Sequence, residues 1–387
     1  MSWRDTPSVR RLVVLLVVVV LAACSGGSPV SGPKSTTTVT MQVPGPTVST
    51  PTGPLVAALP DDCGATTPDP RAVVTFVAEG RVWAVAPDDP STLTCLFDID
   101  DAGIFSWGPR GDRVVLAGLE VRGVGTDVSR PPANLHPSYF SWSRPTGTTV
   151  VFSDQRQRTI SRADLGSSGV RDITPLPDRT FGDIAYHPSG LAIAFVAKES
   201  DGTPSIWIST NTGENAELLV QAAGPETAFE HIVFSHDGVG LLYTLDRGDT
   251  HTVERFDLTT GGIVEMASFD APVHEVIDTA GLPLAFTIAA SCQERTVFTQ
   301  VRPDAGAPVQ PVVVEAGPPL TALGRLDSSR VVVAAGGCDA PSDLYVTNTV
   351  SGETRMLVRS VDAAAMRTPE PSPPPPLPDR LPQSGFA

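Results

Sequence analysis

The sequence predicts an all-β chain built from repeated units of short antiparallel strands. One unit shows the pattern clearly: an apolar run ends in the turn Tyr-His-Pro-Ser-Gly at 186–190, a second apolar run follows at 191–198, and a third, with a tryptophan, at 205–209. Apolar runs of this length separated by Pro/Gly turns are typical of a β-meander. The pattern recurs about seven times at a period of roughly 40 to 45 residues. Units this small cannot bury an apolar face alone, which indicates a stacked or radial repeat fold.

The units can be followed in order through the most apolar strand of each, assigned here as the second strand. In the first unit, strands at 73–77 and 81–85 flank the turn Glu79-Gly80. The second strands of successive units are residues 81–85, 113–117, 149–153, 191–198, 240–244, 284–288 and 330–334. Each unit has room for four strands, and such units arranged radially form a β-propeller. We predict an all-β β-propeller of four-stranded antiparallel blades, with seven blades by this count and six as the alternative.

Three turn motifs carry a family resemblance. Phe-Ser-Trp-Gly-Pro at 105–109, Tyr-His-Pro-Ser-Gly at 186–190 and Phe-Ser-His-Asp-Gly at 234–238 each precede an apolar strand, and Ile-Trp-Ile follows at 206–208. This pattern resembles the Phe-Ser-Pro-Asp-Gly…Ile-Trp repeat of TolB-like (WD40-like) β-propellers over residues 70–360. The resemblance implies a propeller fold, with six blades in TolB itself. It does not extend to the role of TolB in envelope trafficking, because the second TolB domain is not found in this sequence.

The N-terminal residues predict a lipoprotein export signal. Three arginines precede a Val/Leu-rich run at 12–21, which ends in Leu-Ala-Ala-Cys at 21–24. This is the anatomy of a signal peptide, and Leu-Ala-Ala-Cys resembles the lipobox of bacterial lipoproteins, in which cleavage leaves the cysteine lipidated, for example with palmitate. We expect a signal peptide at 1–23 and a lipid anchor on Cys24 that holds the protein to the extracytoplasmic face of the cell membrane. The alternative is an ordinary secretory signal.

Composition divides the remaining chain into three parts. Residues 24–60 contain the lipidated cysteine and a Ser/Thr/Pro-rich stretch that cannot bury enough apolar surface to order itself, so we expect a flexible tether. Residues 61–362 form the propeller. Residues 363–387 are Pro-rich, with Pro-Ser-Pro-Pro-Pro-Pro near their centre, and are expected to be a disordered tail, either an inert spacer or a ligand for a groove-bearing partner.

The charge of the chain argues against two kinds of partner. The formal net charge is −16 at pH 7, and removal of the arginine-rich signal would make the mature chain more negative. Nucleic acid and anionic lipid headgroups would be repelled. The expected partners are therefore the membrane, held through the lipid on Cys24, and a protein of the cell envelope.

Four cysteines besides Cys24 predict two disulfide bonds. An even number of cysteines in an exported chain is typical of disulfide pairing. Cys292 and Cys338 each follow the second strand of adjacent repeats, so they are expected at the same edge of neighbouring blades and are paired. Cys63 and Cys95 form the remaining pair. The alternative is four unpaired thiols. None lies in a zinc-ligand spacing.

No known catalytic motif is present. The sequence lacks Gly-x-Ser-x-Gly, the Walker loop, the dinucleotide fingerprint and His-Glu-x-x-His, so no catalytic residue, metal or cofactor is predicted. Candidate channel-lining residues are His231 and His274, which fall on the first strands of adjacent units beside Glu230 and Glu275. These four are the acid and base candidates if the channel is catalytic.

The tryptophans and two histidines of the repeats are interpreted as structural residues. The tryptophans Trp83, Trp107, Trp142 and Trp207 are interpreted as blade core, because they recur at strand positions. His187 and His236 occupy equivalent turns, where we expect exposure.

Two functional hypotheses follow. The preferred one is a non-catalytic protein- or ligand-binding scaffold in the cell envelope, with specificity in the loops 154–158, 198–204 and 246–249. The alternative is an envelope hydrolase or lyase that acts on glycan or peptide in the channel. A propeller fold alone does not decide between them.

Overall fold

The chain is described here from a computed structural model. The structure describes residues 53–367 except 62, 64–67, 100–105, 116–120, 124–138, 155, 157, 166–168, 280, 318 and 339. These residues belong to one compact unit, residues 46–387. The expected signal peptide, Cys24, most of the tether and the tail after residue 367 lie outside the described residues. Within the described ranges, no helix is long and apolar enough to cross a membrane.

Six sheets of four antiparallel strands and one of three make up the described chain. The strands of blades 1 to 4 are β1 (Val74–Ala78), β2 (Arg81–Ala86), β3 (Asp89–Asp98); β4 (Ser106–Trp107), β5 (Arg113–Val115), β6 (Val121–Gly123); β7 (Tyr139–Trp142), β8 (Thr149–Asp154), β9 (Thr159–Asp164), β10 (Val170–Asp172); β11 (Thr180–Tyr186), β12 (Ala192–Lys198), β13 (Pro204–Thr210) and β14 (Glu217–Gln221). Those of blades 5 to 7 are β15 (Ala228–Phe234), β16 (Gly240–Asp246), β17 (His251–Asp257), β18 (Ile263–Phe269); β19 (Val273–Ile277), β20 (Ala285–Ile288), β21 (Thr296–Gln300), β22 (Val309–Pro311); β23 (Leu320–Arg325), β24 (Arg330–Gly336), β25 (Ser342–Asn348) and β26 (Thr354–Val361). The last strand, β27 (Ala363–Met366), pairs with β1 in blade 1.

The sheets follow one another around a ring. One edge strand of each blade contacts the corresponding strand of the next blade, in the order β7, β11, β15, β19, β23, β27 and β4. Gly108 and Pro109 of blade 2 lie against Trp142 and Gly147 of blade 3, which closes the circle. These seven strands are therefore the inner strands. The predicted all-β propeller of four-stranded antiparallel blades is confirmed, with seven sheets among the described residues.

The hydrophobic cores lie between neighbouring blades. Strand β12 reads Ala-Ile-Ala-Phe-Val-Ala-Lys, and all of its residues except the lysine are buried. Ile193 and Phe195 join the core toward blade 3, whereas Ala194 and Val196 join the core toward blade 5. Side chains alternate between the two faces of a strand, so a strand that is apolar at every position stabilises two interfaces at once. This explains why the second strands were the clearest marker in the sequence.

The tryptophans pack as the sequence analysis expected. Trp83, Trp107 and Trp142 are buried, and Trp207 packs against the core between blades 3 and 4. The indole N–H of Trp107 donates to Thr75 Oγ1 of blade 1 at 2.6 Å, which links two blades.

The C-terminal boundary of the propeller was predicted four residues too early. Residues 363–366 were assigned to the tail, but the structure places them in β27, the inner strand of blade 1. Strands β1 and β2 are consequently the second and third strands of their blade, not the first and second as predicted. The register Val74↔Met366 to Val77↔Ala363 joins the two ends of the chain in one sheet. The Ala-rich composition of β27 concealed it beside the Pro-rich tail.

The predicted tether also extended too far. Within the segment assigned to it, the backbone N–H groups of Leu55 and Val56 donate to the carbonyls of Met356 and Leu357 in β26, at 3.1 and 2.9 Å. Val56 is buried and belongs to the core shared by blades 7 and 1. Residues 55–56 are therefore part of the folded body, because their apolar side chains have a core to join.

Both predicted disulfide bonds are present. Cys63 bonds to Cys95 with their Cα atoms 5.0 Å apart, and Cys292 bonds to Cys338 with theirs 5.8 Å apart. The first bond fastens the segment before blade 1 to the outer strand β3. The second joins the loops that follow β20 and β24, the second strands of adjacent blades. The prediction that Cys292 and Cys338 lie at the same edge of neighbouring blades is confirmed.

Candidate functional site

The predicted channel residues lie on two adjacent inner strands. Glu230 and His231 are on β15, and His274 and Glu275 are on β19. Both strands carry a β-bulge at these residues, between Glu230 and Val233 and between Val273 and Glu275. A bulge turns a side chain out of the regular alternation. The four residues that the sequence singled out are thus brought together on the inner side of blades 5 and 6.

Two imidazoles and a partly buried carboxyl group lie on these two strands. The ring centroids of His231 and His274 are 6.4 Å apart. Burial, with a smaller contribution from His274, lowers the pKa of His231 to about 4. Burial raises the pKa of Glu275 to about 7. At neutral pH the site therefore holds a neutral imidazole, and a carboxyl group that is about half protonated.

Asp183 on the neighbouring inner strand β11 also belongs to this arrangement. Its carboxylate accepts the N–H of Ile232 in β15 at 2.9 Å and that of Ile184 at 2.8 Å. Burial raises the pKa of Asp183 to about 6, and the charge of Glu230 acts in the same direction. We call Asp183, Glu230, His231, His274 and Glu275 the channel cluster.

Asp183 was missed by the sequence analysis. It lies in a bulge within an apolar strand, and an isolated Asp in a strand gives no indication of its partner on the next blade. Among the described residues, no group of three or more His, Cys, Asp or Glu is arranged to hold a metal ion.

A second site, not predicted, opens between blades 5 and 6. It is a pocket of about 430 Å³. Its apolar wall includes Leu242, Met266 and Leu284, and its polar rim includes Asp237, Arg255 and Asp278. The pocket is bordered by turns that join first to second strands and third to fourth strands. Such turns share one face of a blade, which we call the pocket face. The predicted specificity loops join second to third strands and lie on the opposite face.

Carboxylates surround a single guanidinium at the rim of the pocket. Arg255 Nη2 is 3.5 Å from Asp237 Oδ2. Asp257 accepts the N–H groups of Thr259 and Thr260 at 2.9 and 2.8 Å, and the hydrogen bond from Thr260 is the main cause that lowers its pKa. Asp278 accepts the N–H of His236 at 2.9 Å, and burial raises its pKa. The lining thus carries more acidic than basic groups.

His187 is fully buried, so the expectation that it is exposed at its turn is wrong. Its Nε2 lies 2.8 Å from the carbonyl oxygen of Gly238 on blade 5, and its Nδ1 accepts the N–H of Ser189 at 3.0 Å. A carbonyl oxygen can only accept, so Nε2 carries the proton and the ring is neutral. Burial lowers the pKa of His187 in agreement with this arrangement. The equivalent His236 is half-buried at the pocket.

Replacement of His187 by Leu is expected to cost about 2 kcal/mol of folding free energy at pH 7, because the Gly238 carbonyl and the Ser189 N–H lose their partner. The native stabilisation is lost as the pH falls below the unfolded histidine pKa of about 6.5, so the cost should shrink at pH 5. Urea unfolding at both pH values measures this. His236→Leu is the matched control and should cost less than about 0.5 kcal/mol; equal costs for the two variants would contradict the interpretation.

Comparison with known proteins supports the fold and goes no further. No protein-family model matches the sequence, and no curated protein is detectably similar to it. Among solved structures, an oligogalacturonate lyase in complex with manganese matches with a TM-score of 0.52 at 15% identity, over 69% of this chain and 82% of that one. A prolyl endopeptidase matches with a TM-score of 0.52 at 16% identity, over 75% of this chain and 50% of that one.

TolB structures are also among the matches, as the predicted resemblance implies. TolB from Acinetobacter baumannii matches with a TM-score of 0.44 at 14% identity, over 76% of this chain and 66% of that one. At these identities structural similarity reflects a shared fold and not a shared activity. The described residues therefore form a β-propeller of seven sheets.

Proposed function

We propose that this protein is a non-catalytic binding scaffold of the cell envelope, anchored to the extracytoplasmic face of the membrane by a lipid on Cys24. The observation that carries the proposal is the pocket between blades 5 and 6, where apolar side chains meet a few converging polar groups. Concave sites of this composition are the usual places of ligand and partner binding. Away from the pocket, one disulfide bond joins blade 6 to blade 7 and another fastens the segment before blade 1.

The lipid anchor rests on the sequence of the export signal. Leu-Ala-Ala-Cys at residues 21–24 follows an apolar run of the expected length. A single acyl chain gives only weak membrane binding, so a stable anchor needs more than one chain or a second contact. The acidic body would not provide that contact on an anionic membrane. The anchor must therefore carry the attachment.

A second candidate function is an envelope hydrolase or lyase that acts in the channel. The observation in its favour is the channel cluster, in which Glu275 has a pKa of about 7 and follows His274 on β19. A carboxyl group that exchanges protons near neutral pH is suited to general acid or base catalysis. Binding remains the preferred function because the pocket between blades 5 and 6 needs no reaction to explain it.

In-cell crosslinking of the tagged, full-length protein, followed by affinity purification and mass spectrometry, tests the proposal. We expect one envelope protein to be recovered in stoichiometric amount with the wild type and lost with Cys24→Ala. The double variant Glu230→Gln/His274→Gln should recover the same partner as the wild type if the protein is a scaffold. Recovery of the protein without a partner would contradict the scaffold. Loss of function in cells of the double variant, with the partner still bound, would favour the second candidate function, an enzyme.

A further inference from the structure

Most of the exposed apolar side chains lie on the pocket face. Of the six large hydrophobic side chains that are exposed in the described chain, five lie in turns of the pocket face or at the strand end next to such a turn, in blades 4, 5, 6 and 7: Leu191, Ile263, Val264, Val301 and Val350. Their exposed fractions run from 49% for Val264 to 81% for Val350. Single exposed apolar residues are ordinary, whereas contiguous apolar patches mark interaction surfaces; here the five residues share one face of four successive blades. Val264 also lines the pocket, so the two features are continuous.

The charges at the pocket select the chemistry of the occupant. Asp237, Asp257 and Asp278 line it, against one guanidinium, that of Arg255. Arg255 is already engaged with Asp237. Asp278 is the most buried of the three carboxylates, and burial raises its pKa more than the His236 N–H and Arg255 lower it. A cationic group placed in the pocket would compensate it and would restore the charged form of Asp278.

From this surface we infer that the pocket face binds an extended polypeptide segment of a partner, with a lysine or arginine side chain inserted between blades 5 and 6 and apolar side chains resting on blades 4 to 7. The stem of a lysine or arginine is apolar and its head is charged, which matches an apolar wall with an acidic rim. The net charge of −16 would also attract a basic segment at long range. This inference rests on the proposed binding function and names its surface and partner chemistry.

Selection of random linear peptides displayed on phage against the purified full-length protein tests this inference. We expect the enriched peptides to share a Lys or Arg flanked by apolar residues. Synthetic copies should bind about tenfold more weakly to Asp278→Asn, since loss of a charge-assisted contact costs about 1.4 kcal/mol or more. The Asn side chain keeps an oxygen that can accept the His236 N–H, so the turn should stay folded. Binding should also weaken as NaCl is raised.

The matched control is Asp270→Asn, which removes the same charge from an exposed position between β18 and β19, on the opposite face, and should leave affinity unchanged. Val264→Asn should weaken binding severalfold through the apolar part of the surface. The inference would be overturned, but a binding function would remain, if the enriched peptides lacked a basic residue or bound Asp278→Asn as tightly as the wild type. An absence of any enriched peptide would overturn it too, and crosslinking then decides separately whether the protein is a scaffold. Self-association that Val350→Asp abolishes would assign the face to a second copy of the chain instead.

Discussion

Truncation after Asp362 is expected to destroy cooperative folding of the propeller, whereas truncation after Arg367 is expected to leave stability unchanged. The two chains differ by β27 and Arg367. Strand β27 provides the register from Val74↔Met366 to Val77↔Ala363. We expect a loss of about 5 kcal/mol or more, which is comparable with the whole folding free energy of an ordinary domain.

The large effect follows from what β27 covers. Without it, β1 becomes the inner edge of blade 1, and Val74, Phe76 and Val77, all fully buried, lose their neighbour. Thr75 Oγ1 donates to the Ala365 carbonyl at 2.7 Å, and that contact disappears as well. An exposed apolar edge strand is also a site of aggregation.

Arg367 fastens the end of the closing strand. Its backbone N–H donates to the Val73 carbonyl at 2.7 Å, and its Nη1 to the Ala72 carbonyl at 3.1 Å. The guanidinium also lies over the Trp107 ring of blade 2. The longer truncation therefore keeps both the strand and its fastening.

Circular dichroism during thermal unfolding distinguishes the two truncations. The chain that ends at Arg367 should retain the sharp transition of the full chain, and the chain that ends at Asp362 should show a broad transition at lower temperature or none. If both unfold as the full chain does, the ring is not closed by β27. If both are destabilised, residues after 367 contribute to the fold.

The fold was predictable because, in the blades after the first, the strands of one blade are consecutive in the sequence and are marked by local turn and strand patterns. In blade 4, a turn, a fully apolar strand and a tryptophan-bearing strand are contiguous at residues 186–209. Blade 1 was misread because its inner strand comes from the other end of the chain. Four residues of low β-propensity, Ala-Ala-Ala-Met, form a strand only because β1 offers them an edge.

The candidate sites were predictable only where strand position decides the geometry. Position on the first strands placed Glu230, His231, His274 and Glu275 together. The burial of His187 depends on its contact with Gly238, some 51 residues away, and no local pattern contains that contact. The pocket likewise depends on turns of two different blades that meet only in the folded ring. No local pattern marked those turns, and the loops that were predicted for specificity lie on the opposite face.

Replacement of Glu275 by Gln is expected to stabilise the protein by about 3 kcal/mol at pH 8 and by almost nothing at pH 4. Burial raises the pKa of Glu275 from 4.5 to about 7 in the folded protein. Between these two values the folded chain holds the neutral carboxyl group while the unfolded chain ionises. The native protein therefore loses stability as the pH rises toward 7, and the loss is complete above it. Gln has the same shape and never ionises, so the variant lacks this loss.

Urea unfolding of both proteins at pH 4, 6 and 8 measures the difference directly. His231 has a lowered pKa and acts in the opposite direction, since its neutral form stabilises the protein at higher pH; it is present in both proteins and cancels. Glu230→Gln is the matched control, because Glu230 is exposed on the adjacent strand and its replacement should change stability by less than about 0.5 kcal/mol. If Glu275→Gln is instead destabilised at pH 8, a cation in solution stabilises the Glu275 carboxylate in the folded protein, and the interpretation that its burial is uncompensated is wrong.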